Sequence, residues 1–214
     1  MDKKIEILES WKDRELADLI LSYFEFMKEV PHAIGIQQVL EELQQLKDTL
    51  GDRKFNKFVE LGSDGGGSLW VYANLFCDKN TQIFSIDTQL HPLLSFVIDK
   101  LRKKGFNITF MQGSSGDIEN IARVGKDIDL LHSDADHAYD SVRLEWEAYS
   151  PLMQDGGIYL IHDTLLHFGP VEYRKYLEKN NFDTTTFAGE TSLINIDPGY
   201  KCAPAGITMV KIKK

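Results

Sequence analysis

The sequence has few cysteines and no long apolar run. Cys77 and Cys202 are the only two among 214 residues, and their spacing matches no common metal-binding motif. We therefore expect both to be reduced thiols. No apolar segment is long enough to span a bilayer, and the first fifteen residues, MDKKIEILESWKDRE, lack the apolar region of a secretory signal. These absences predict a cytoplasmic protein with no membrane partner.

Positive charge is also scarce. The chain has 24 Lys and Arg against 33 Asp and Glu, which gives a formal net charge of −9. A chain of this charge repels phosphates overall, so we expect no nucleic-acid partner. The length suits one domain with an elaboration, and the 43% of hydrophobic residues can form a substantial core.

The first fifty residues show the apolar periodicity of helices. Seven apolar residues recur at spacings that place them near one face: Ile5, Leu8, Leu16, Leu19, Ile20, Tyr23 and Met27. The segment EVPHAIGI interrupts this pattern, and a second helix is predicted from about Gln37 to Leu50, ending at Gly51. We expect residues 1–52 to form a helical cap on a domain made of residues 53–214.

From Lys57 onward, short apolar runs alternate with helical stretches. The runs are KFVELG, QIFSID, NITFMQG, IDLLHSD and GGIYLIHD. Such alternation predicts βαβ units and an α/β, doubly wound, mostly parallel Rossmann-like sheet. The tail differs, because TTTFAGETSLINI and AGITMVKIK are both strand-like with no helix between them. We therefore expect a seven-stranded sheet with an antiparallel edge strand.

In this architecture, ligands bind beyond the carboxyl ends of the strands. The first predicted strand is followed by a glycine-rich turn, ELGSDGGGS, from Glu60 to Ser68. Its glycines let the backbone approach a ligand at the start of the next helix, although a tight turn without a ligand is an alternative. The second strand ends at Asp87, where an acid can accept hydrogen bonds from ribose hydroxyls.

The glycine turn favours a cationic ligand. It lacks the G-x-G-x-x-G pattern of dinucleotide-binding turns, and Asp64 would repel a pyrophosphate. S-adenosylmethionine carries a sulfonium and an ammonium group but no phosphate, so Glu60 beside the turn suits it on charge grounds. We therefore favour S-adenosylmethionine, with a nicotinamide cofactor as the alternative.

Acidic and imidazole side chains are concentrated after the fourth and fifth predicted strands, in LLHSDADHAYDS and IHD. Helix capping accounts for one or two of the aspartates, and we expect Asp136 to be a helix-start residue of this kind. Capping does not account for His137 or for His162 and Asp163. A hydroxyl acceptor needs a base with a pKa near 7, which histidine provides, or a metal that lowers its own pKa.

These residues resemble a known family from Phe58 to Ile212. VELGSDGGGSLW is similar to the E-x-G-x-x-x-G-G-S turn of class I S-adenosylmethionine-dependent methyltransferases. The long block from DLLHSDADHAYDS to IYLIHDT resembles the D-x-D-H-x-Y and G-G-x-x-x-x-H-D signature of one group within that class. That group contains small-molecule and sugar O-methyltransferases of the macrocin type, and relatives named after cephalosporin hydroxylase.

The resemblance implies a set of cofactor contacts at the first four strand ends: Glu60, Gly62, Ser63, Gly66, Ser68, Asp87, Gly113, Ser114 and Asp134. Within this set, Glu60 and the glycine turn would line the methionine end of the cofactor. Asp87 would bind the ribose hydroxyls, and Gly113 with Ser114 would border the adenine.

The resemblance also implies a metal site and a base. Asp134 and Asp163 match positions that hold magnesium in metal-dependent relatives, and His137 has the spacing of their general base. His162 stands where those relatives have a glutamate, so a softer divalent metal, or none, is the open alternative.

These observations together predict an O-methyltransferase acting on a hydroxyl of a small molecule or sugar by in-line methyl transfer. An oxidoreductase or a non-catalytic S-adenosylmethionine-binding protein is the alternative, and homo-oligomer formation is left open.

Overall fold

The computed structural model describes residues 3–28, 35–191 and 205–214. Its strands are β1 (Lys57–Leu61), β2 (Gln82–Asp87), β3 (Asn107–Gln112), β4 (Ile128–Ser133), β5 (Met153–Ile161), β6 (Asp183–Phe187) and β7 (Ile207–Lys211). Its helices are α1 (Lys3–Ser10), α2 (Arg14–Met27), α3 (Leu40–Leu50), α4 (Gly67–Phe76), α5 (Pro92–Lys103), α6 (Ile118–Val124), α7 (Tyr139–Tyr149) and α8 (Phe168–Lys179).

The strands form one seven-stranded sheet in the order β3-β2-β1-β4-β5-β7-β6. Strands β1 to β5 are parallel, whereas β7 runs antiparallel to both β5 and β6. The predicted α/β sheet with an antiparallel edge is therefore confirmed, and the reversed strand β7 lies one place in from that edge. The strand order changes direction between β1 and β4, which is where this architecture binds ligands.

The central strands are apolar because helices cover both faces of the sheet. All six residues of β4 are buried. One buried cluster joins Phe58, Leu130 and Leu160 to α2, α3, α4 and α5, and the other joins Val59, Leu131 and Tyr159 to α6, α7 and α8. Alternating residues of the same strands serve the two clusters, which fixes the face on which each strand-end side chain emerges.

The N-terminal helices pack on the first cluster. Leu16, Ile20 and Tyr23 of α2 are fully buried there, and the indole nitrogen of Trp70 in α4 donates to the carbonyl oxygen of Leu19 at 3.3 Å. Helix α3 begins at Leu40, three residues later than predicted, and ends at Gly51 with φ of 58° as expected. The assignment of residues 1–52 as a cap separate from residues 53–214 stays a prediction.

Several predictions concern segments outside the described residues. They include part of the interruption EVPHAIGI between the predicted helices, a reduced thiol at Cys202, and the part of the predicted tail strand beyond Thr191. Cys77 is a buried free thiol. Over the described ranges, no helix is both long and apolar enough to cross a membrane.

Candidate active site

The glycine turn after β1 packs directly on the end of β4. Gly62 has φ of 81°, and a Cβ atom there would lie 2.2 Å from the carbonyl oxygen of Asp134. The amide of Asp134 donates to the carbonyl oxygen of Leu61 at 2.9 Å. Gly66, at the start of α4, has φ of 84°. Only glycine tolerates both this conformation and this close approach, so the turn and Asp134 form one surface.

A small cavity of about 40 Å³ opens where this turn meets Asp134. Its lining includes Gly62, Ser63, Ser68 and the two glutamines Gln37 and Gln38. The Ser63 hydroxyl is 2.7 Å from that of Ser85, so the Ser63 side chain contacts β2, while its backbone faces the cavity.

Gln37 and Gln38 were missed by sequence reasoning, because they precede α3 and belong to no motif. The amide of Gln37 donates to Asp64 at 2.9 Å, which brings the segment before α3 over the turn. The Gln38 side chain is 1% exposed, and its amide oxygen has no hydrogen-bond partner among the described residues. A buried acceptor of this kind suits a cationic or N–H-bearing ligand group.

The ends of β2 and β3 continue the same surface. The Asp87 carboxylate accepts from the amides of Asp64 at 2.9 Å and Gln89 at 3.2 Å, and these bonds hold it beside the glycine turn. The amide of Gly113 donates to the carbonyl oxygen of Asp87 at 2.9 Å, and Ser114 next to it is exposed. The structure therefore brings Asp87, Gly113 and Ser114 to the same side of the sheet as the turn.

Glu60 has a different position from the one predicted for a cofactor contact. Its side chain is fully buried beneath the turn, with one carboxylate oxygen 3.4 Å from Nδ1 of His132. His132 is also fully buried and lies edge-on to the ring of Tyr72, with centroids 4.7 Å apart. Glu60 therefore does not reach the surface of the turn.

The ends of β4 and β5 bring the predicted charged residues into one cluster. Nε2 of His137 is 2.9 Å from Asp163 and 3.5 Å from Asp134. Nδ1 of His162 is 3.1 Å from Asp134 and 3.5 Å from Asp163. The His162 side chain is 2% exposed, and neither of its ring nitrogens is aligned for a hydrogen bond among the described residues.

Charge pairing shifts the pKa of three of these groups. The nearby carboxylates of Asp134 and then Asp163 raise the pKa of His137 to about 10. Burial opposes ionisation of His162, but the charge of Asp134 outweighs it and raises the pKa to about 9. Burial likewise opposes ionisation of Asp134, and the histidines, His162 foremost, still hold its pKa well below the usual range. The cluster without a cation is therefore a set of ion pairs.

His167 joins this cluster, although sequence reasoning assigned it no role. Asp163 has a left-handed backbone with φ of 58°, and the amide of His167 donates back to the Asp163 carbonyl oxygen at 3.1 Å. The His167 ring stacks on the ring of His137, with centroids 4.2 Å apart. A Cβ atom at Gly169 would lie 2.3 Å from the His137 carbonyl oxygen, so this glycine lets α8 approach. A strained residue held at a site in this way is typical of functional positions.

Two groups in this cluster have the donor atoms of a cation site. Asp134, His162 and Asp163, the predicted metal ligands, offer ligand atoms that all lie within 4.8 Å of one another. The same holds for His137, Asp163 and His167. Asp136 belongs to neither group, since its carboxylate accepts from the amide of Ala138 at 3.2 Å. Asp136 therefore lies in the turn before α7, but the N-cap of that helix is Ala138, without a side-chain cap hydrogen bond.

Comparison with known proteins supports one family. A family model described as a methyltransferase domain matches residues 59–164. No curated protein sequence shows significant similarity to this chain. Among solved structures, an O-methyltransferase from Bacillus cereus in complex with S-adenosylhomocysteine is 13% identical with a TM-score of 0.64, over 99% of this chain and 96% of that chain.

Two further structures share the fold. The O-methyltransferase TomG from Streptomyces achromogenes is 12% identical with a TM-score of 0.63, over 95% of this chain and 92% of that chain. MycE, a methyltransferase of the mycinamycin biosynthetic pathway, is 20% identical with a TM-score of 0.58, over 93% of this chain and 53% of that chain. Identities this low show the fold alone, whereas the matched family model spans the strand ends from β1 to β5. Residues 59–164 form a methyltransferase domain, with the fold of the class I, S-adenosylmethionine-dependent methyltransferases.

Proposed function

We propose that this enzyme transfers a methyl group from S-adenosylmethionine to a hydroxyl of a small molecule or sugar. The observation that carries this proposal is the shared cavity: Asp134 lines it together with the glycine turn, and the backbones of Asp134 and Gly62 are in contact. Groups that can activate an acceptor therefore adjoin the turn that would hold the donor. Proximity of this kind is the main requirement for an in-line transfer to an acceptor oxygen.

The residues at the first three strand ends fit the donor. S-adenosylmethionine supplies a methyl group on a positively charged sulfur, together with an ammonium group. The glycine turn offers backbone atoms, and Gln38 offers a buried amide oxygen that has no hydrogen-bond partner in the described part of the chain. Asp87 is held where it would accept hydrogen bonds from ribose hydroxyls, with Gly113 and Ser114 beside it for the adenine. Glu60 adds negative charge from beneath the turn.

The donor set at the next two strand ends fits a divalent cation. Asp134 and Asp163 provide carboxylate oxygens, and His162 provides a nearly buried imidazole with no aligned hydrogen bond among the described residues. When bound, the cation would supply positive charge that lowers the pKa of a hydroxyl acceptor. Carboxylates suit magnesium or manganese, and the imidazole shifts the preference toward manganese or zinc.

His137 is the proposed general base. Its side chain is 36% exposed and its Nε2 atom faces both carboxylates, so an acceptor hydroxyl near Asp163 would lie within reach. The same carboxylates keep the imidazole protonated when no other positive charge is present. A protonated imidazole cannot take a proton, so the base role requires a cation beside Asp134 and Asp163.

The solved neighbours support a hydroxyl acceptor. The Bacillus cereus protein and TomG are O-methyltransferases, and MycE was crystallised with magnesium, S-adenosylhomocysteine and mycinamycin VI. The net charge of −9 also favours a small acceptor over a nucleic acid.

Transfer of labelled methyl groups tests the proposal. Hydroxylated sugars and phenols should accept label from S-adenosylmethionine, whereas matched amines should not. Exhaustive chelation should stop the transfer, and magnesium or manganese should restore it. Label found only on amines would contradict the acceptor class, and undiminished transfer after chelation would contradict the metal.

A further inference from the structure

Each of the two carboxylates in the cluster has imidazoles on two sides. Asp134 has Oδ2 3.1 Å from Nδ1 of His162 and Oδ1 3.5 Å from Nε2 of His137. Asp163 has Oδ1 3.5 Å from the same nitrogen of His162, whereas its Oδ2 is 2.9 Å from Nε2 of His137 and 3.6 Å from Nε2 of His167. Each carboxylate thus presents one oxygen to a buried side, where His162 lies, and the other to an open side, where His137 lies. His167 lies on the open side, beside Asp163.

The proposed cation of the methyl-transfer reaction uses the buried side, which leaves the open side unassigned. We propose that His137, His167 and Asp163 form a second cation site that takes a borderline ion such as Zn²⁺. The second ion shares Asp163 with the first and lies on the opposite side of its carboxylate.

The donor chemistry of the open side favours zinc over magnesium. Two imidazoles and one carboxylate make a three-ligand set, which leaves one coordination position for water. Imidazole nitrogen suits zinc and its neighbours in the transition series better than it suits magnesium. On the buried side the ratio is reversed, with two carboxylates and one imidazole.

The geometry of the two imidazoles supports binding from solvent. His137 and His167 are 36% and 47% exposed, and their stacked rings direct both Nε2 atoms at the same oxygen of Asp163. Nε2 of His137 is itself buried and is not aligned for a hydrogen bond within the described chain, despite its short distance from Asp163. An ion bound here would ligate both Nε2 of His137 and Oδ2 of Asp163, which lie close together without an aligned hydrogen bond.

Occupation of this site has a consequence for turnover. A His137 nitrogen that ligates an ion has no lone pair left for the acceptor proton, so the second ion should inhibit methyl transfer. This consequence rests on the proposed function, whereas the binding of the ion does not.

A matched pair of variants tests the binding. His167 and His91 both stand at the N-cap of a helix, before α8 and α5 respectively, and asparagine is a good residue at that position. Only His167 contacts the cluster; His91 caps α5 and belongs to neither candidate group among the described residues. Chelated wild-type protein and His91→Asn should bind two equivalents of Co²⁺, used as a spectroscopic probe, or of Zn²⁺. His167→Asn should bind one.

A second measurement needs no variant. In excess Mg²⁺, wild-type protein should bind one equivalent of Zn²⁺ at the open side, in addition to any Zn²⁺ that displaces Mg²⁺ from the buried side. One equivalent in total for the wild-type protein, two for His167→Asn, or complete exclusion of Zn²⁺ by Mg²⁺ would each overturn the second site.

The activity measurement separates this inference from the proposed function. With Mg²⁺ present, Zn²⁺ should inhibit the wild-type enzyme and His91→Asn, and His167→Asn should need at least about tenfold more Zn²⁺ for the same inhibition. Two bound ions with full activity would overturn the inhibitory role. No turnover in any form would contradict the proposed function, while the binding stoichiometry would still decide the second site.

Discussion

The surface formed by the carboxyl ends of β1 to β5 has two halves that differ in composition. The cofactor half, formed by the turns after β1, β2 and β3, consists mainly of glycines with positive φ and of backbone amides. The charged half, after β4 and β5, consists of two carboxylates and three imidazoles within ion-pair distance of one another. The first half is determined by backbone shape, and the second by the balance of charge.

This difference predicts how each half responds to substitution. A change in the cofactor half should act through steric fit and through the affinity for the donor. In the charged half, a change should act on proton transfer and cation binding while the backbone stays in place. The following substitutions test that division, starting with the largest expected effect.

In the charged half, His137→Gln should lower kcat by about 10²–10⁴, the usual contribution of a positioned general base. The glutamine amide can donate to a carboxylate, but it cannot take up the proton of the acceptor hydroxyl. Affinity for S-adenosylhomocysteine, measured by calorimetry, should stay near the wild-type value because His137 is absent from the cavity lining. Turnover close to wild type would place the base elsewhere, and loss of cofactor affinity would break the division between the halves.

In the cofactor half, Gly62→Ala should abolish binding of S-adenosylhomocysteine and destabilise the fold. The new Cβ atom would lie 2.2 Å from the Asp134 carbonyl oxygen, so the turn and the strand end must separate. Gly156→Ala is the matched control, because Gly156 has φ of 72° and no heavy atom within 4 Å of the added Cβ.

Both substitutions incur the left-handed backbone cost of about 1–2 kcal/mol. Gly62→Ala should lose about 1–3 kcal/mol more in free energy of unfolding, as overpacked sites do. Urea unfolding of both variants measures the difference. Equal losses in the two variants would mean that the close contact between the turn and Asp134 does not affect the free energy of unfolding.

Also in the cofactor half, Asp87→Ala should weaken S-adenosylhomocysteine binding by about 1–3 kcal/mol, the range for hydrogen bonds to a charged group. Its carboxylate accepts from the Asp64 amide, so part of the loss would reflect a looser turn. Asp78→Ala is the control for a carboxylate that accepts from a backbone amide, since Asp78 accepts from the Asn80 amide at 2.7 Å in the turn before β2. Unchanged affinity in Asp87→Ala would show that the end of β2 does not bind the ribose.

Much of the scaffold could be predicted from the chain alone. The alternation of apolar runs and helical stretches predicted β1 to β5 closely, and the bounds of QIFSID coincide with those of β2. The insertion of β7 between β5 and β6 could not be predicted, because strand order depends on contacts between segments distant in the chain.

The site was less predictable than the scaffold. The motifs identified which strand ends carry candidate functional residues, but not how deeply each side chain is buried. Glu60 alternates with Val59 and Leu61 on a strand buried on both faces, so its sequence position could not reveal whether it reaches solvent. His167 and Gln38 enter the site through the turn at Asp163 and the segment before α3. A motif search cannot detect contacts that depend on how these loops fold.

The smallest expected effect concerns a carboxylate outside both halves. Asp13 caps α2 through a 3.0 Å bond from the Leu16 amide and pairs with Lys47 of α3 at 2.6 Å. Burial opposes its ionisation, but the Leu16 amide and Lys47 outweigh this and lower the pKa of Asp13 to about 2. Like Asp134, Asp13 is a carboxylate with a depressed pKa, yet its partners have only a structural role.

Asp13→Asn should therefore lower the free energy of unfolding by about 1 kcal/mol at pH 7 and leave turnover unchanged. Asparagine keeps the cap and loses the charge pair with Lys47. The unfolded pKa of an aspartate is about 3.9, so the stability due to this charge is present above about pH 4 and is lost as pH falls toward 2. The difference in free energy of unfolding between wild type and variant, measured in urea, should shrink over that window.

Asp18→Asn, which removes an exposed pair with Arg14, should show no such difference at any pH. A pH-independent gap for Asp13→Asn would mean that packing, rather than charge, accounts for the loss, and a fall in turnover would extend the charged half of the site to the N-terminal helices.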